Sequence, residues 1–275
     1  MKIKQINNIK IKAIKEDKCV QLPVKNKEMI DNAYANIFLL AKKRSGKSTL
    51  LYRLVKSCID RETKIYIFCS TAYRDYTYQK LMDCFDKKSV HYEVYTSLME
   101  DGQNKLAELI DELKHDDKDT DDEDDDEIQH KEQKIYKLND DDDDETTKKR
   151  KYKPKYLCPK NIIIFDDMGS SLKNDRNVEQ LLKTNRHSKS RVIISSQYLN
   201  DISIASRLQL DYIIMFAGLP DNKILETYKN LDLAINFEEF YDMYNHATNE
   251  KYNFLFVDIR NEKYRHNFSH ELIPN

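Results

Sequence analysis

Residues 36–49 read NIFLLAKKRSGKST. Ile37-Phe38-Leu39-Leu40 is a continuous apolar run, the pattern of a parallel strand buried on both faces. Past the basic stretch Ala41-Lys42-Lys43-Arg44-Ser45-Gly46-Lys47-Ser48-Thr49, the apolar residues Leu50, Leu51, Leu54, Val55 and Cys58 recur at helical spacing. A buried strand, a loop and an amphipathic helix in that order bring free backbone N–H groups and a positive helix end to one point, where an anion is favoured. SGKST in that setting reads as a P-loop, with Lys47 reaching the β- and γ-phosphates of a nucleotide and the Ser48 hydroxyl ligating Mg²⁺. The whole loop from Ala41 to Thr49 is the expected nucleotide-binding set. Ala41 stands where the first glycine of G-x-x-x-x-G-K-[ST] belongs, and alanine tolerates positive φ poorly, so a remodelled first turn is expected.

The same alternation continues outward. Lys64–Ser70 reads as a second strand, His91–Tyr95 as a third, and Leu106, Leu109, Ile110 and Leu113 as one face of a helix. Asn161–Asp166 is a fourth strand, with Val178, Leu181 and Leu182 marking the next helix. Arg191–Gln197, Asp211–Ala217, Phe254–Ile259 and Tyr264–Phe268 read as further strands. Strands alternating with helices predict an α/β, three-layer domain with a central, mostly parallel sheet covered on both faces. That domain is expected over 31–275, preceded over 1–30 by an arm or short strands (Ile3, Ile9, Ile11, Ile14, then Val20, Leu22, Val24).

The strand IIIFDD supplies a second chemical element. Asp166 at its end suits a carboxylate that holds Mg²⁺ beside Ser48. Asp167 suits a group that polarises an attacking water. In the strand RVIISSQ, Gln197 lies where a side chain can sense a γ-phosphate. Two strand signals and two helices separate the loop from Asp166, and the acid at the strand end is doubled. This looks like the P-loop class with an extra strand between the two motif strands, which includes RecA-like motors and AAA ATPases. No N-K-x-D guanine signature occurs, so ATP is the expected nucleotide.

Charge is segregated. The chain's formal net charge is −2, yet 116–145 holds 17 Asp or Glu against four Lys, a local −13, leaving +11 on the rest. A body that basic suits a polyanionic partner. With almost nothing apolar to bury, 115–155 is expected to be a low-complexity insertion without fixed structure. It is either a solvated tether or a competitor of DNA for the protein's own basic surface. Lys148–Lys155 suits phosphate binding or nuclear import. The five cysteines form no CxxC pair, which suits a reducing compartment. Met1–Lys15 lacks a signal-peptide core, and no apolar run nears the ~20 residues a bilayer requires, so an intracellular protein with no membrane partner is expected.

Together, KKRSGKST after its strand, Asp166-Asp167, Asn185-Arg186-His187, VIISSQ and Arg207 ahead of DYIIMF resemble the poxvirus-type DNA-packaging ATPases of the FtsK–HerA superfamily, over about 36 to 270. The resemblance implies ATP and Mg²⁺, a homo-oligomeric ring, expected to be a hexamer, double-stranded DNA as cargo and capsid proteins as partners. It also implies a host-cytoplasmic, viral-factory or nuclear location, or association with the virion. Asp166 would hold the metal, Asp167 act as the catalytic acid and Gln197 as sensor. An arginine from the neighbouring subunit would complete the site, Arg207 being the first choice and Arg186 the second. A helicase, a DNA-transfer ATPase or an ATP-bound capsid scaffold are the other functions these residues allow. For DNA contact, Tyr73, Arg74, Tyr76 and Tyr78 combine aromatics with a cation; burial of those tyrosines in a helix is the other reading.

Overall fold

The computed structural model describes residues 22–115 and 155–274. Residues 1–21 of the arm expected over 1–30, and most of the acidic and basic insertion, thus lie outside the described residues. What is described is built on a nine-stranded sheet.

The chain enters through β1 (Asn36–Leu40), α1 (Lys47–Cys58), β2 (Lys64–Phe68), α2 (Tyr76–Lys88) and β3 (Tyr92–Tyr95). A small hairpin, β4 (Met99–Glu100) with β5 (Gln103–Asn104), leads into α3 over 105–115. Then come β6 (Asn161–Asp166), the short α4 (Ser170–Asn174), α5 (Arg176–Thr184), β7 (Ser190–Ser196), α6 (Ile204–Arg207) and β8 (Tyr212–Phe216). The chain closes with α7 (Asp221–Leu231), α8 (Phe237–Ala247), β9 (Phe254–Asp258), β10 (Lys263–His266) and β11 (His270–Leu272).

The sheet order is β11-β10-β9-β8-β1-β7-β6-β2-β3. From β8 to β3 every pairing is parallel. β9, β10 and β11 extend the sheet beyond β8 in antiparallel fashion. β7 lies between β1 and β6, so the extra strand expected between the two motif strands is present.

The apolar runs are continuous because both faces are covered. Ile37 and Leu39 of β1 pack with Leu51, Leu54 and Val55 of α1 and Leu81 and Phe85 of α2. Phe38 and Leu40 point the other way, into a core with α3, α5, α7 and α8. The alternation of β6 follows the same rule, with Ile162 and Ile164 facing α1 and α2, and Ile163 and Phe165 facing the opposite layer. Asp166 continues the first of these series.

The predicted strands match to within a residue or two at each end. The elements that go beyond the prediction are α2, the β4–β5 hairpin, the short α4 and α6, α7, α8 and the edge strand β11. Among the described residues three helices, not two, lie between the loop and Asp166.

Candidate nucleotide site

Gly46 is the N-cap of α1, with φ 97° and ψ 4°, and no side chain caps the helix start. The leading N–H groups of α1 are therefore left for an external acceptor. The loop's left-handed backbone falls at Arg44 (φ 61°) and Gly46, and Ala41 is not among the residues with positive φ. Ala41 is fully buried and its N–H donates to Ser196 O at 3.1 Å, prolonging the pairing of β1 with β7. The remodelled first turn expected from the missing glycine does not occur, because the chain at that position asks for no positive φ.

Lys47, the first residue of α1, is buried, and its Nζ stands 3.0 Å from Asp166 Oδ1 and 2.6 Å from Asp167 Oδ1. The alternation of β6 turns Asp166 toward α1 and α2, which is why it meets Lys47. Burial pulls the Lys47 pKa down, but Asp166 and Asp167 more than offset it, so the ammonium is held above its ordinary range. Asp167 has φ 51°, left-handed backbone that aspartate tolerates better than most residues, and its N–H donates to Ser195 O at 3.0 Å. β7 thus fixes the backbone at both Ala41 and Asp167, and the two motif strands cannot shift independently.

The second oxygen of Asp166 accepts a hydrogen bond from the Tyr78 hydroxyl at 2.9 Å, and Tyr78 is 1 % exposed. Burial, reinforced by Asp166, pushes the Tyr78 pKa well above its usual value, so the phenol is a proton donor at every physiological pH. Of the tyrosines considered for DNA contact, Tyr78 is therefore excluded, while Tyr73 and Tyr76 are exposed. Tyr78→Phe should cost about 1–3 kcal/mol of stability, the penalty for a buried acceptor left without a donor. Chemical denaturation measures it, and an unchanged midpoint would show that Asp166 does not depend on Tyr78.

Gln197 directly follows β7, in which Ser195 is level with Asp166 and Ser196 with Leu40. Its carbonyl accepts from Lys223 Nζ at 3.0 Å, and Lys223 also sits 3.5 Å over the Tyr198 ring. This clamp from α7 on the segment after β7 had no signal in the sequence. The two arginines differ sharply. Arg207 is buried, donating to Asn230 Oδ1 at 2.8 Å and to Ile202 O at 3.0 Å. To reach a neighbour, this guanidinium would have to release both bonds to its own chain. Arg186 has a side chain 53 % exposed and pairs with Asp211 at 3.0 Å, at the opposite end of the strands from Lys47. Asp211 keeps a second partner, the Asn36 N–H at 2.9 Å.

The residues fit Mg²⁺. Asp166 is buried, and its Oδ1 takes no hydrogen bond of good geometry despite the nearby Lys47. Among the described residues no group of three or more His, Cys, Asp and Glu forms a protein cage. Mg²⁺ commonly takes only one or two protein carboxylates and completes its shell with water and phosphate. Asp166 and Ser48 would hold the ion, which would neutralise charge on the β- and γ-phosphates.

No protein-family model matches the chain, and no curated protein matches it. Solved structures do. The DNA-packaging ATPase B204 of Sulfolobus Turreted Icosahedral Virus superposes with a TM-score of 0.52 at 17% identity, covering 89% of this chain and 99% of that one. The genome packaging NTPase B204 of Sulfolobus turreted icosahedral virus 2 matches in its AMPPCP complex (TM-score 0.52, 16% identity, 89% and 99% covered). Its AMP complex matches similarly (TM-score 0.51, 17% identity, 89% and 99% covered). The fold is that of the P-loop NTPases. At such identities the likeness establishes architecture, and that architecture brings Lys47, Asp166, Asp167 and Gln197 to the ends of three adjacent strands. Among the described residues no helix is long and apolar enough to cross a membrane.

Proposed function

We propose that this chain is an ATP-hydrolysing motor that moves double-stranded DNA into a viral capsid. The observation that carries the reading is the buried Lys47 ammonium held by both Asp166 and Asp167 at the mouth of an uncapped helix. Its companion is the sharing of this fold with genome-packaging NTPases of viruses. Lys47 exchanges carboxylate for phosphate when a triphosphate enters. Its departure leaves Asp167 free to orient and deprotonate water, while Tyr78 keeps Asp166 in place. Gln197 reads the γ-phosphate. The basic charge outside the acidic stretch draws DNA, and a ring of copies, acting inside the infected cell with capsid proteins, converts hydrolysis into movement.

In that ring Arg186 is the arginine that reaches the neighbouring site, since among the described residues its half-exposed side chain is held by Asp211 alone, and Asp211 keeps the Asn36 N–H when the arginine leaves. ATP hydrolysis is measured against protein concentration, with and without double-stranded DNA, for wild type and for a mixture of Lys47→Ala with Arg186→Ala. Rate per protein should rise with concentration and with DNA, and the mixture should recover part of the activity each variant lacks. A flat rate, indifferent to DNA, would overturn the motor. A DNA-stimulated wild type whose mixed variants recover nothing would remove Arg186 from the site.

A further inference from the structure

The antiparallel extension of the sheet has a consequence at the nucleotide site. β9 runs opposite to β8, so the chain enters β9 at the edge where β1 ends and the loop over 41–46 begins, with Phe216 level with Phe254. The turn just before β9 therefore stands against that loop. A Cβ built on Gly46 would lie 3.1 Å from Tyr252 Cδ1 and 3.8 Å from Phe216 Cε1. Tyr252 thus packs against the glycine that opens α1.

The turn is unusual in its choice of residue. Asn253 N–H donates to Glu250 O at 3.2 Å, closing a four-residue turn with Tyr252 at its third position and φ 74°. Glycine or asparagine is the ordinary occupant there, and a bulky side chain costs of order 1–3 kcal/mol. Such a conformation persists only where neighbours over-determine it. Here they do, because Ala217 N–H donates to Asn253 O at 3.0 Å and Asn267 Nδ2 to Asn253 Oδ1 at 3.1 Å. Strain of this kind, held by a rigid frame, calls for a reason in function. Tyr252 is also 55% exposed although it touches the loop, and Lys251 Nζ lies over its ring, 4.7 Å from the centroid. An exposed aromatic beside a phosphate loop, with a cation already lying over its ring, suits a planar heterocycle.

The geometry points to Tyr252 as the platform on which the nucleotide base stacks, with the 248–253 turn as the base-side wall of the site. Lys47 and the loop N–H groups hold the phosphates, and Tyr252 holds the other end. The assignment rests on the nucleotide reading of the loop, and its test separates the two. Dissociation constants for ATP and for inorganic tripolyphosphate, which has the phosphates and no base, are measured by calorimetry. The variants are Tyr252→Asn, which keeps the turn's backbone preference while deleting the ring, and Tyr252→Trp.

Stacking of a base on an aromatic side chain contributes about 1–3 kcal/mol, so Tyr252→Asn should weaken ATP about 5- to 150-fold and leave tripolyphosphate unchanged. Tyr252→Trp should retain ATP affinity. The chain has no tryptophan of its own, so the new indole is the sole reporter, quenched by ATP and indifferent to tripolyphosphate. An equal loss for both ligands would reduce Tyr252 to a packing contact of Gly46. Unchanged ATP affinity in Tyr252→Asn would remove the platform outright. Wild type that binds neither ligand would sink the nucleotide reading itself, and the platform with it.

Discussion

Lys47→Ala should abolish ATP hydrolysis and destabilise the folded chain at the same time. Loss of a preorganised cation facing the transferred phosphate lowers turnover by at least about 10²–10³-fold. Its structural effect is less obvious and follows from the two ion pairs. Lys47 is buried between a nearly buried Asp166 and a half-open Asp167, with side-chain exposures of 7% and 46%. Removing the ammonium leaves Asp166 charged in a dry place with only the Tyr78 hydroxyl, and breaking a buried pair by deleting one partner costs about 3–5 kcal/mol. Asp167 can turn to water, so the lower end of that range is expected, read from denaturant midpoints. Adding Asp166→Asn to Lys47→Ala should recover most of the stability and none of the activity. A Lys47→Ala protein as stable as wild type would mean the triad is not a structural element. The pH dependence has a definite sign. Since the folded pKa of Lys47 lies above its ordinary 10.5, its contribution is complete below that value and fades as pH rises through the folded pKa.

The parts of this site that the sequence discloses are those made by one strand and one turn. β1, β6, β7 and β8 are buried on both faces, so each is an apolar run that needs no partner to be recognised. Lys47 and Asp166 follow from what ends those runs. Tyr78 does not. Its hydroxyl meets Asp166 only because α2 packs beside α1 over the end of β6, and 88 residues of chain separate donor and acceptor. Tyr252 is hidden for the same reason. α7 and α8 escape for a different one. Their buried faces lean on tyrosines whose rings pack while their hydroxyls bond, as Tyr228 does to Ile235 O and Tyr244 to Phe216 O at 2.8 and 2.9 Å. A residue that serves as apolar surface and polar tip together blurs the contrast on which helical periodicity depends. Arg207 shows what motif order alone does not disclose. It sits where the motif order suggests a finger, yet burial and two local acceptors commit it to its own chain.

Asp167→Asn should separate nucleotide binding from turnover. Asparagine adopts left-handed backbone as readily as aspartate, so φ 51° and the hydrogen bond to Ser195 O are kept, and the fold has no reason to change. What changes is charge. The amide cannot accept a proton from water, and general-base catalysis contributes typically about 10²–10⁴-fold, so kcat should fall by that factor. Binding should move the other way. Lys47 is held by two carboxylates, the shorter contact being the 2.6 Å bond to Asp167. A triphosphate must displace that bond, and neutralising Asp167 weakens the competitor, so ATP should bind at least as tightly as to wild type. Single-turnover hydrolysis and equilibrium binding, measured on the same preparation, separate the two effects. A fall in kcat with unchanged or tighter ATP binding identifies Asp167 as the group that acts on water. A fall in both would make it part of the binding frame. A kcat within a few-fold of wild type would pass the role to another residue, with Gln197, at the end of the strand between, next to be replaced.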